Sequence, residues 1–224
     1  MTDFNQTIQT IAVFAIPVLF AISLHEAAHG YVARYFGDTT AEQQGRLTVN
    51  PLAHIDWFGT VLLPILLALS PLGIAFGYAK PVPVDYGRLR NPKKQMGFVA
   101  AAGPAANFAM GLGWTIVLLI LYRMDVQEPF LLGMAKAGML TNAVMCVFNL
   151  IPVPPLDGGR VVTAMLPDAL AYKFAKIERY GPYVFIGLLV LMYTGILSPI
   201  LATFVQLTQG LFVTLVYPLR LLLG

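Results

Sequence analysis

Six apolar runs, at roughly 8–36, 57–79, 96–122, 129–151, 182–197 and 199–223, take up most of this 224-residue chain. A helix needs about 20 such residues to cross the ~30 Å hydrocarbon core of a bilayer, and only helices or closed barrels satisfy their backbone there. The runs therefore point to an all-α polytopic membrane protein of five to six hydrophobic helices. Composition agrees: 58% of residues are hydrophobic and 11% charged, against about a quarter charged in a soluble domain. A net charge of +3 makes no case for nucleic acid. Cys146 has no partner cysteine and reads as a small packing residue. The first run lacks a basic n-region and a small-x-small site, so it reads as a helix that stays rather than a cleaved signal.

The second run is the irregular one. "WFGTVLLPILLALS" covers about 14 residues, or ~21 Å of helix, before "SPLG" turns the chain and "IAFGYAKPVPVD" reads as extended. Basic residues then choose the topology. If this run crosses, Arg34, Arg46 and Arg123 lie outside, while Lys80, Arg88, Arg90, Lys93, Lys94, Arg160, Lys173, Lys176, Arg179 and Arg220 lie inside. If it dips in and returns, with the N-terminus outside, Arg34 and Arg46 join the inside set and Arg123 alone remains outside. The second arrangement is the better fit. It predicts a re-entrant helix-plus-strand segment over about 57–85 and a cytoplasmic C-terminus.

Within the first run stands His25-Glu26-Ala27-Ala28-His29. Four residues apart on a helix, the two histidines share a face one turn apart and can hold one zinc ion. Glu26, beside the first of them, is placed to act as general base on water. Ionisable groups in a membrane helix cost a few kcal/mol each and mark functional sites. Catalytic zinc takes a third protein ligand; His54, Asp56, Asp85, Cys146, Asp157 and Asp168 are the candidates. Three prolines break the chain before Asp157 in "NLIPVPPLDGGR", and Asp157 and His54 stand out without the pattern deciding between them.

The HExxH, "AAGPAAN" (101–107) and "NLIPVPPLDGG" (149–159), with "GRLTVNPLAHID" and "YAKPVPVD", resemble the site-2 protease family of intramembrane zinc metalloproteases. The likeness covers roughly residues 20–165 and is to the short bacterial and archaeal type without a PDZ or CBS domain. It implies one catalytic Zn2+ on His25, His29 and Asp157, Glu26 as base, and cleavage in or near the transmembrane helix of a membrane-protein substrate. It also implies a single protease domain over 1–224, with a family-type core at about 8–165 and further membrane helices at about 182–223. A multi-pass location in the inner (plasma) membrane follows, with zinc toward the cytoplasm. Because His25 and Asp157 both lie at the C-terminal ends of their runs, the first and fourth runs must point the same way. That again requires the second to dip in and come back.

Asn107 and Asn149, amides inside apolar runs, are candidates to contact substrate or the transition state, or to link helices. His54 is an interfacial anchor or a substrate contact. "AFGYAKPVPVD" (75–85) is an extended strand or hairpin reaching into the membrane, an edge able to pair with an unwound substrate, or a rigid loop. Two other functional classes share the same ligands: a zinc-dependent transporter, and a module that binds membrane segments without cutting them. The first would want several acidic or histidine sites along a path, and the second has no use for Glu26.

Overall fold

The computed structural model describes residues 2–63, 66 and 80–222. Among the described residues, seven α-helices of eight residues or more build the fold: α1 (Thr2–Tyr35), α2 (Pro92–Arg123), α3 (Pro129–Asn149), α4 (Asp157–Met165), α5 (Asp168–Ala175), α6 (Gly181–Tyr193) and α7 (Ser198–Leu222). Among the described residues, four of them (α1, α2, α3 and α7) are long and apolar enough to cross a membrane. Their flanks carry large exposed apolar side chains such as Ile16, Phe20, Phe204, Leu207 and Leu211, which suits a lipid surround. The chain sets its own starts: Pro92 and Pro129 open α2 and α3 with a ring that needs no intrahelical donor, and Glu128 accepts the Leu131 N–H at 2.8 Å.

Among the described residues four helices, rather than the expected five to six, are long enough to span. The run at 182–197 forms α6, which has 13 residues and rises only about 20 Å, too short to span. The second run lies largely outside the described residues, so its re-entrant course is not seen; its beginning, Trp57–Leu62, is a single wide helical turn whose Asp56 cap accepts the Gly59 N–H. Strand is absent among the described residues. From Lys80 to Val84 the chain is irregular. Pro81 and Pro83 supply no backbone donors, and the Val82 N–H is spent on a side chain rather than a ladder.

Pairwise contacts give the directions. Ala21 and His25 meet Asn107 while His29 meets Val99, so α1 and α2 are antiparallel. Asn107 meets Asn142, and Gly138 meets Trp114, so α2 and α3 are antiparallel too. Hence α1 and α3 point the same way, as a shared site on their C-terminal ends demands. Phe212 packs against Phe108 and Gly111, and Arg123 donates to the Arg220 carbonyl at 2.9 Å, so α7 runs parallel to α2. The C-terminus therefore ends on the face of Arg123 and the N-terminus. The sequence expectation counted Arg220 with the inside set, away from Arg123; α7 instead brings the two together.

Candidate metal centre

His25 and His29 face α2 from the last third of α1. The space they occupy exists because residue 103 of α2 is glycine. A Cβ there would stand 2.4 Å from His29 Nε2 and 2.6 Å from His25 Nε2. Behind the rings, His25 Nδ1 donates to Asn107 Oδ1 at 2.5 Å and His29 Nδ1 to the Val99 carbonyl at 2.7 Å. Both acceptors are oxygens, so each imidazole holds its proton on Nδ1 and turns the Nε2 lone pair forward. Asn107 is itself fixed. Its amide nitrogen donates to the Ala21 carbonyl (3.2 Å) and to Asn142 Oδ1 (3.0 Å), and Asn142 donates to the Gly138 carbonyl (2.9 Å). Such interhelical bonds contribute about 1 kcal/mol each in a membrane.

Asp157 arrives on the first turn of α4, where the helix N-terminus favours a carboxylate. The preceding loop is folded hard against that turn. A Cβ on Gly158 would lie 2.3 Å from the Leu150 carbonyl oxygen, and one on Gly159 2.2 Å from Pro154 N. The two glycines thus let the proline-broken loop close and aim Asp157 inward.

Three ligand atoms converge. His25 Nε2 and His29 Nε2 are 3.1 Å apart, and Asp157 Oδ2 lies 3.3 and 3.4 Å from them. A tetrahedral zinc with bonds of 2.0–2.1 Å has ligand–ligand edges of about 3.3–3.4 Å. Two lone pairs and a carboxylate oxygen facing one another need a cation to be stable, and Asp157 Oδ2 is buried without a protein hydrogen-bond donor. The donor set fits zinc.

The other candidate ligands are engaged elsewhere. Asp56 caps the Trp57 turn, Asp85 pairs with Arg88 (3.2 Å), and Asp168 pairs with Lys93 (2.6 Å). Cys146 is buried within α3. His54 is buried in the turn Pro51–His54, donating from Nε2 to the Thr48 carbonyl at 2.8 Å. Asn149 donates back to its own helix at Met145. Asn107, read as a possible substrate contact, is fully buried behind His25. Its carbonyl serves the imidazole, and its amide nitrogen links α1 and α3. Glu26 is half-buried beside the ligands, and its Oε2 accepts the Val82 N–H at 2.8 Å. Sequence reasoning missed three contributors: Gly103, Asn142 and the Val82 amide. The "AAGPAAN" stretch carried the only signal for the first, as one of the motifs of the family resemblance.

A family model described as peptidase family M50 matches residues 13–137 and 125–192. The chain belongs to that family. YwhC of Bacillus subtilis, which carries a zinc-metalloprotease name, is 38% identical over 180 residues, 78% of each chain. Rip2 of Mycolicibacterium smegmatis, with a name of the same kind, is 30% identical over 84% of this chain and 71% of its own. Zinc metalloprotease MJ0392 of Methanocaldococcus jannaschii is 28% identical over 74% of this chain and 38% of its own. No solved structure matches. This M50 member is a multi-pass membrane zinc metalloprotease.

Proposed function

We propose that this M50 protease hydrolyses a peptide bond in or beside the transmembrane helix of a membrane-protein substrate. His25, His29 and Asp157 are the zinc ligands and Glu26 is the base. The observation that carries the reading is the meeting of Asp157 with two histidines, which share with the carboxylate of Glu26 a helix apolar enough to span a bilayer. Zinc bound there supplies Lewis acidity toward a carbonyl and makes water more acidic.

The chain's own residues do the rest. Asn107 and the Val99 carbonyl hold both imidazoles in the tautomer that presents Nε2. Glu26, with Oε2 on the Val82 amide, keeps its other oxygen for a water proton and returns that proton to the leaving amine. Orientation follows from charge. Residues from Arg34 and Arg46 through Lys93, Lys94 and Arg160 to Arg179 crowd the zinc end, whereas Arg123 and Arg220 hold the other. That bias puts zinc toward the cytoplasm and both termini outside.

The test compares wild type with Glu26→Gln in liposomes against a panel of single-pass substrates, with zinc assayed in both. Both should bind about one zinc, and the variant should cut 10²–10⁴-fold more slowly, roughly what a general base contributes. Equal cleavage by the variant would refute the base. A zinc-loaded wild type that cuts no membrane segment but does cut soluble peptides would refute the substrate class.

A further inference from the structure

The stretch Lys80–Tyr86 crosses the site without belonging to any sheet, and it is tied at both ends. The Lys80 N–H donates to the His54 carbonyl (3.0 Å), and Arg46 donates to the Lys80 carbonyl (3.0 Å). At the far end the Asp85 N–H donates to Asp38 Oδ2 (2.7 Å), and Tyr86 Oη accepts from Arg160 Nη1 (3.1 Å). Between these ties sits buried Val82, whose N–H reaches Glu26.

Arg160 is the unusual partner. It lies three residues after Asp157 on α4, one turn along the same helix face. Its guanidinium divides between the Tyr86 hydroxyl and the Glu178 carboxylate, with Cζ 5.5 Å from the Tyr86 ring centroid. Burial pushes the Tyr86 phenol above its ordinary pKa, so it remains a neutral acceptor at physiological pH. A planar fork can serve a phenol and a carboxylate at once, which an ammonium does less well.

We propose that Arg160 is a positioning residue for the M50 reaction: through Tyr86 it fixes Lys80–Tyr86 so that the Val82 amide holds Glu26 in register with Asp157. The inference rests on the reading of Glu26 as base. It makes the helix that delivers the third ligand also set the place of the carboxylate, so ligand and base move as one unit.

The experiment uses the full-length, zinc-loaded protein in nanodiscs, as wild type, Tyr86→Phe, Arg160→Lys, Arg160→Gln and Glu178→Gln. The first readout is hydrogen exchange in the peptide covering 80–86, whose amide protons are those of Lys80, Val82, Val84, Asp85 and Tyr86. Tyr86→Phe and Arg160→Gln should each speed that exchange about tenfold as the segment opens locally, with zinc content unchanged. The second readout is the kinetic split on a cleaved substrate. In the same two variants kcat should fall by about 10–100-fold, the scale of an ångström-level misplacement, at near-constant KM. Arg160→Lys should recover part of the loss, and Glu178→Gln should lose less than Arg160→Gln.

Wild-type exchange in Tyr86→Phe, which removes one hydroxyl and leaves the fold intact, would overturn the proposal. So would faster exchange with unchanged kcat. Faster exchange in a protein whose wild type cuts no membrane substrate would sink the reading of substrate class and leave the positioning of the segment standing.

Discussion

Adding one methyl group to residue 103 should empty the metal centre. In Gly103→Ala the new Cβ would fall 2.4 Å from His29 Nε2 and 2.5 Å from His25 Cε1. Comfortable contact for such atoms is about 3.5 Å, so each ring must retreat by roughly 1 Å. Neither can do so freely, since each Nδ1 is tied to Asn107 or to the Val99 carbonyl. Zinc–ligand distances tolerate only about 0.2 Å. Disturbing the outer partners of a metal ligand costs about 10–100-fold in affinity, and displacing both ligands themselves costs more. A loss above ~100-fold, or about 2.7 kcal/mol, is expected, along with about 1–3 kcal/mol of overpacking strain on the fold. Gly113 on the same helix is the control: nothing lies within 4 Å of its Cβ position. Gly113→Ala should keep its zinc and gain up to about 1 kcal/mol in helix propensity. Competition against a chelator of known affinity, with circular dichroism to confirm helix content, measures both. A folded Gly103→Ala that binds zinc within about threefold of wild type, well under the expected loss, would refute the packing argument.

Asn107→Leu should weaken zinc binding about 10–100-fold by freeing the His25 tautomer, read by the same competition, while Asn149→Leu should leave affinity unchanged. Reporter fusions at the two termini should report the same side of the membrane; opposite sides would contradict the Arg123–Arg220 contact at the far ends of α2 and α7.

The convergence of His25 and His29 was readable because helical spacing turns a four-residue interval into a shared face, whatever surrounds it. Asp157 was harder: local pattern left it beside His54, and the resemblance of the whole "LDGG" stretch separated them. Once folded, His54 is taken up by the Thr48 carbonyl. Gly103 and Asn142 act on residues tens of positions away, so their roles exist only after α1, α2 and α3 pack. The strand expectation covered 75–85, of which 80–85 are described and form irregular chain beside the site rather than strand. It could not see that the Val82 N–H would be claimed by Glu26. At α6 the apolar composition was legible but the length was not: the run folds into only 13 helical residues.

The amide chain from His25 through Asn107 to Asn142 closes α1, α2 and α3 on one another using protein atoms alone. On the proposed ligand set, zinc would add a tie of another kind, joining α1 to the short helix α4 through Asp157. Assembly can therefore proceed in two stages, with the spans inserting and locking before any metal arrives. A newly made chain would wait in the bilayer as a finished but silent scaffold, and metallation, the last step, would decide when it becomes a protease.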